Sequence, residues 1–334
     1  MLAFRICLGC RLHVEKRDLS FDLLKGTLIL LVIIGHVLPG SASSGLRGMI
    51  YFFHMPLFLG VTGYFIRRYF LDAGVASILK KYKWRMIIPY LLAFVVYSAY
   101  DLYMSVKTDG ISVKTLIGLG LYPYYHLWYI PAVIIFVFYT LIIYRNNILL
   151  GLFLLLSAAL SILWYCYADA IEDKYALLKF IGDKRFYYYY SFFLLGFCIS
   201  DWNVNINYLS LMPIVVVSGV LNYCVANETL VDAILWYTFN ASLLCMLLGI
   251  CKDLDLKKEN LLVKIGQVSL PIYLWHVLPI IILGMALDKN SPAFYVSVVV
   301  IISILAFSFI ALRGKNRFLD SYFYGERSKW HPEK

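Results

Sequence analysis

Residues 17–36 read RDLSFDLLKGTLILLVIIGH, and the stretch from Gly26 to Gly35 within them carries no charge. Residues 19–38 supply the roughly 20 mostly apolar positions that a helix needs to cross hydrocarbon. Runs of the same kind recur near 49–66, 86–106, 126–144, 147–167, 186–200, 207–225, 230–250, 262–285 and 293–312. They are continuous rather than alternating, which selects helices over a barrel, and a helix satisfies its own backbone in lipid. The whole 334-residue chain follows suit, with 62% hydrophobic residues, 15% charged residues and a mean hydropathy of +0.76. Soluble domains are about 45–50% apolar and about 25% charged. The pattern predicts an all-α integral membrane protein of about ten transmembrane helices. Its expected parts are a cytoplasmic segment over 1–18, a membrane domain over 19–312 and a basic cytoplasmic tail over 313–334.

Charge sets the expected orientation. With the N-terminus inside, 21 of the 30 Lys and Arg residues fall on inner segments and 8 on outer ones, the bias of cytoplasmic loops. Both termini are therefore expected in the cytoplasm, and the net charge of +10 reads as an orientation signal rather than as affinity for nucleic acid. Arg5 and Arg11 interrupt the first sixteen residues, so no cleavable signal peptide is expected. The seven cysteines lie mostly in or beside predicted helices, which argues against a disulfide framework, and the Cys7–Cys10 CxxC lacks partners for a metal or redox site. Neither an internal repeat nor the inverted symmetry common in transporters is visible.

Ionisable groups inside a membrane are costly and therefore mark function. Of six histidines, His13 and His331 fall in the tails. His36 is near the outer end of the first helix, His54 lies in the outer part of the second, His126 starts the fourth and His276 falls in the outer half of the ninth. Four helices distant in sequence thus place imidazoles, groups able to act as acid, base or ligand, in one slab of depth. Separate interfacial placements would also account for each one, but a converging site accounts for all four. Zinc is not expected, because no HxxxH pair or carboxylate spacing accompanies them.

Lys25 and His36 are eleven residues apart, so they project from nearly one helix face about 16 Å apart. Asp22 precedes Lys25 by three residues and can pair with it, although snorkelling of Lys25 to inner headgroups remains open. Between the second and third helices, Arg67, Arg68, Lys80, Lys81, Lys83 and Arg85 form a basic inner segment. Positive-inside sorting and attraction to anionic lipid would explain such a segment, as would a phosphate-binding surface.

The runs RDLSFDLLKGTLILLVIIGH, FFHMPLFLGVTGYFIRR, HLWYIPAVI and SLPIYLWH resemble acyltransferase family 3, the multi-spanning membrane acyltransferases. A Lys-Gly pair in the first helix makes the fucose-acetylase-like sugar O-acetyltransferase branch the most similar. The resemblance implies a ten-helix core that uses cytosolic acetyl-CoA to O-acetylate a glycan, such as a capsule or O-antigen, or its lipid-linked precursor. The implied setting is a bacterial inner membrane, and a homo-oligomer is compatible with it. Lys25 and His36 match the family's basic-x10-His pair, and His54 matches the histidine of its second helix. The inner basic segment corresponds to the acyl-CoA region, although the family's Arg-x-x-Arg is not cleanly present, since Lys81 and Arg85 are four apart.

Taken together, His36 and His54 are expected to be catalytic. Lys25, Asp22, Arg67, Arg68, Lys81 and Arg85 are expected to serve the acetyl-CoA end, and His126, Trp128, Tyr273, Trp275 and His276 the acceptor. The aromatic residues would equally suit an interfacial belt. The rival readings are a transporter or flippase for a lipid-linked saccharide and a membrane receptor switched by histidine.

Overall fold

The computed structural model describes residues 18–39, 45–108, 110, 112–123, 126–174, 182–225 and 229–326. Cys7, Cys10, His13 and His331 lie outside them. Every regular element among the described residues is helical. The first part holds α1 (Leu19–Val37), α2 (Gly45–Tyr64), α3 (Arg68–Asp72), α4 (Gly74–Tyr82), a π-helical turn (Lys83–Ile87), α5 (Ile88–Thr108), α6 (Val113–Leu121) and α7 (Tyr129–Ile143). α8 (Asn147–Lys174), α9 (Arg185–Tyr188), α10 (Tyr190–Asp201), α11 (Tyr208–Cys224) and α12 (Leu230–Asp253) follow. The last part is α13 (Leu261–Gln267), α14 (Ser269–Trp275), α15 (Val277–Ala286), α16 (Pro292–Leu312) and α17 (Arg317–Tyr322).

Each of the ten apolar runs coincides with helix. Six segments are long and apolar enough to cross a membrane: Leu19–Val37, Gly74–Lys107, Asn147–Ala168, Leu230–Asp253, Ser269–Ala286 and Pro292–Leu312. α7 and α11 are apolar but shorter. Large apolar side chains stay exposed along these helices, with Leu155 of α8 at 70%, Val216 of α11 at 54% and Ile304 of α16 at 60%. Such surfaces suit a hydrocarbon solvent.

Three boundaries differ from the sequence reading. The third run extends back through the π-helical turn to Gly74 as one continuous helical segment. The sixth starts properly only at Tyr190, after a turn at Tyr189. The ninth is three helices rather than one, broken at Val268 and His276. Pro271 and Pro279 have no N–H to offer the carbonyls of Gln267 and Trp275, which weakens the helix at both breaks.

Glycine sets how closely the central helices approach. α1 lies against α13 and α2, and α2 against α10 and α12. A Cβ on Gly266 would overlap the Asp22 carbonyl of α1, and one on Gly26 would overlap the Leu262 carbonyl of α13. Such small residues allow the backbone contact that drives helix association in lipid, where the hydrophobic effect is weak.

Pro56 inside α2 leaves the carbonyl of Phe52 without its intrahelical donor. α12 replaces that donor twice, with Trp236 Nε1 at 2.9 Å and Asn240 Nδ2 at 3.1 Å from the Phe52 oxygen. This contact fixes the helix that carries His54. Replacing Trp236 by Phe and Asn240 by Leu together should cost about 1–3 kcal/mol, the penalty of a stranded buried acceptor. Adding Pro56→Ala, which restores an N–H, should recover part of that loss in detergent-solubilised thermal unfolding. If Pro56→Ala changed the two backgrounds equally, α12 would not be serving the orphaned carbonyl.

Candidate active site

α1 begins with Asp18, whose side chain accepts from Ser20 N at 3.0 Å and caps the helix. Two turns on, Lys25 Nζ meets the buried Asp22 carboxylate at 2.6 Å and lies 5.5 Å from the centre of the Phe65 ring. The pairing read from the three-residue spacing is present. Three turns further along the same helix, His36 reaches the opposite end.

There, three imidazoles from three helical regions meet. The ring centre of His36 lies 5.2 Å from that of His276 and 6.3 Å from that of His126, and His126 and His276 are 5.2 Å apart. His126 lies in the turn before α7, three residues ahead of its start, and His276 lies at the break between α14 and α15. Both are almost fully buried. His54 stands one step away: its ring is 4.9 Å from that of Tyr51, whose hydroxyl lies 3.3 Å from His36 Nδ1. Thus the expected convergence holds directly for three histidines, and His54 joins them through Tyr51.

The last turn of a helix leaves carbonyls without intrahelical donors. At the end of α14 side chains serve the carbonyls of Tyr273 and Leu274. His276 Nδ1 lies 2.8 Å from the Tyr273 oxygen and 3.1 Å from that of Ile272, which also accepts from the His276 backbone N–H at 3.0 Å. His126 Nε2 lies 3.2 Å from the Leu274 oxygen, which also accepts from the Tyr97 hydroxyl at 3.1 Å. His54 Nδ1 lies 2.7 Å from the Ile50 oxygen. A carbonyl only accepts, so each of these nitrogens bears the hydrogen, and the other nitrogen of a neutral ring keeps its lone pair. Those remaining atoms in the triangle, His126 Nδ1 and His276 Nε2, are buried without a hydrogen-bond partner among the described residues. The cluster therefore presents two imidazole lone pairs, the requirement for taking a proton from a substrate.

Aromatic residues connect this level with the bundle interior. Tyr273 packs 5.5 Å from His126 and 5.2 Å from Tyr129, whose hydroxyl pairs with Thr62 Oγ1 at 2.6 Å. Trp128 is buried, with Tyr189 stacked at 5.6 Å and the Arg185 guanidinium 4.6 Å from its ring centre. Trp275 lies against Phe323 and Tyr97. These rings wall the histidine cluster by packing on one another.

The basic segment is divided between structural and exposed cations. Arg68 grips Asp201 of α10 with two bonds of 2.8 and 2.5 Å and reaches Asn147 at 3.0 Å. Hydrogen bonding to Asp201 holds its guanidinium pKa above the ordinary value. Arg67 donates to Ser200 Oγ at 2.5 Å. Lys81, on α4, sits 3.7 Å over the Phe70 ring, and Lys81 and Arg85 are both exposed. Arg67 and Arg68 thus tie α2 and α3 to α10, while Lys81 and Arg85 present charge at the surface.

Two members of the site were missed in the sequence reading. Tyr51 precedes His54 by three residues and so shares its helix face, a spacing that could have flagged it. Tyr97, in contrast, reaches Leu274 from α5 with no local signal. In protein labelled with 15N-histidine, ring shifts at neutral pH should report an Nε2–H tautomer for His126 and Nδ1–H tautomers for His54 and His276. Single His→Gln variants would assign the signals, and the opposite tautomers would contradict the geometry.

The acyltransferase domain family Acyl_transf_3 matches residues 18–313. Among curated proteins, the chain is 31% identical over 205 residues to the "Nodulation protein NolL" of Mesorhizobium japonicum, covering 58% of this chain and 50% of that protein. It is 39% identical over 64 residues to the protein of the same name from Sinorhizobium fredii, covering 17% of this chain and 18% of that one. The chain thus spans half or less of the length of these curated relatives. No solved structure matches it. With its helical bundle, its gathered imidazoles and a match across nearly its whole membrane portion, the chain belongs to acyltransferase family 3.

Proposed function

We propose that the protein is an integral membrane O-acetyltransferase that moves an acetyl group from cytosolic acetyl-CoA to a sugar hydroxyl of a cell-surface glycan or its lipid-linked precursor. In this reading ten helices span a bacterial inner membrane, both termini face the cytoplasm, and the histidine cluster lies toward the outer side. The observation that carries it is the meeting of His36, His126 and His276 within 5.2–6.3 Å at one end of α1, while Lys25 marks the other end.

The exposed cations Lys81 and Arg85 fit the phosphates of the nucleotide end, since guanidinium and ammonium groups both bind phosphate oxygens. Arg67 and Arg68 shape that face through Ser200 and Asp201 rather than by offering open charge. The Lys25–Asp22 pair stands where the slender pantetheine arm enters the bundle. At the far end His36 acts as general base and takes the proton of the acceptor hydroxyl. The hydroxyl oxygen forms the new ester bond to the acetyl carbon, the carbon–sulfur bond breaks, and the proton passes to the departing thiolate. Tyr51 and His54 orient His36, and the lone pairs of His126 and His276 accept hydrogen bonds from the acceptor's hydroxyls. Tyr273 and Trp275 shape the acceptor side by packing. No metal takes part in this scheme.

Positioned base catalysis contributes about 10²- to 10⁴-fold. His36→Ala should therefore lower acetyl transfer by about that factor while the protein still inserts and elutes as a monodisperse species. Wild-type turnover would remove the base assignment. Lys25→Met should raise the KM for acetyl-CoA more than that for the acceptor. A mass gain of one acetyl group on the surface glycan, present with the gene and absent without it, distinguishes transfer from transport of a lipid-linked saccharide.

A further inference from the structure

Beyond α16 the chain folds back on itself. Gly314, at φ +78°, turns it, and its N–H donates to Oδ1 of the fully buried Asp320 at 2.9 Å. Asn316 caps α17, accepting from Phe318 N at 2.8 Å and Leu319 N at 3.3 Å. The Tyr324 hydroxyl donates to the Phe309 carbonyl of α16 at 2.6 Å. Arg313 closes the loop on Glu326 at 2.6 Å and reaches Gln267 of α13 at 2.9 Å. The return is thus held at both of its ends and in its middle.

Its inner side meets two parts of the proposed site. Gly325, at φ +67°, rests on the backbone of Arg85, where a Cβ would overlap the Arg85 carbonyl. Tyr322 meets Trp84 edge-on at 6.3 Å. Both Trp84 and Arg85 belong to the π-helical turn Lys83–Ile87, and such turns are rare and frequent at functional sites. Phe323 stacks on Trp275, the neighbour of His276, at 5.6 Å and 29°. One short segment therefore touches the turn that aims Arg85 and the corner that carries His276.

We infer that residues 313–326 form a positioning clasp, holding the π-helical turn so that Arg85 faces the acyl donor and bracing the Trp275–His276 corner. All but Arg313 of this segment lies beyond the family match, which ends at residue 313. The inference rests on the donor reading above, and its two contacts predict separable effects. Gly325→Val displaces the Arg85 backbone, whereas Phe323→Leu loosens only the Trp275 corner.

The test uses the full chain in lipid nanodiscs. Gly325→Val should raise the KM for acetyl-CoA about tenfold, the equivalent of one lost charge-assisted contact. It should leave kcat and the acceptor KM within about twofold, a split that general destabilisation would not produce. Amide exchange of residues 83–87 should accelerate about tenfold in the same variant. Phe323→Leu should lower kcat several-fold at unchanged donor KM, as expected when a corner that positions a reacting group is loosened, and Phe323→Tyr should restore it. Unchanged exchange over 83–87, or losses in kcat and both KM values that simply follow a lowered melting temperature, would overturn the clasp. Turnover of the wild-type protein without acetyl-CoA would remove the proposed function instead, and the exchange rates would still decide whether the segment holds the turn.

Discussion

The end of α14 is the contact on which the site depends. A helix terminus inside a bilayer leaves carbonyls that water cannot reach, and each must find a donor. Here the donors are His276 itself, His126 from the turn before α7, and Tyr97 from α5. Satisfying the backbone in this way draws two imidazoles into one place and fixes which nitrogen of each carries hydrogen. The groups proposed for chemistry are therefore held by the same bonds that make a broken helix tolerable in lipid.

α1 supplies the third ring, and steric closeness sets its position against α13. Gly26 and Gly266 let α1 lie directly against α13, the element that leads into α14. The approach sets His36 at 5.2 Å from His276. α2 is fixed by a separate device, the orphaned Phe52 carbonyl and its two donors on α12, and it brings Tyr51 and His54 alongside. Two backbone defects, a helix break and an internal proline, thus place His54, His126 and His276, while glycine contact places His36. In each case the defect is repaired by side chains from a distant element, which couples local distortion to tertiary packing.

The basic segment follows another logic. Of the cations between α2 and α5, Arg67 and Arg68 are engaged by α10, and Lys81 and Arg85 stay exposed. A basic cluster in a sequence is thus a mixture of structural ties and open charge, and composition cannot separate them. Arg85 belongs to the π-helical turn at Lys83–Ile87, on whose backbone Gly325 of the returning segment rests, and in the proposed clasp that contact sets where Arg85 points.

By itself the sequence determined the solvent and the helical class, because apolar runs of bilayer length admit one backbone solution. It also placed the Lys25–Asp22 pair, since an i, i+3 spacing on a helix is local geometry, and it marked His36, His54, His126 and His276 as unusual through the expense of polar groups in lipid. Only the tertiary structure decided which rings touch, that His54 meets the cluster through Tyr51, and that Trp128 packs against Tyr189 and Arg185. It also divided the ninth apolar run into three helices, a break hinted at by Pro271 and Pro279 but not located by them. The physical reason is common to all of these. Periodicity and burial are properties of a segment, whereas the partner of an orphaned carbonyl is supplied by whatever side chain the packing of other helices brings within about 3 Å.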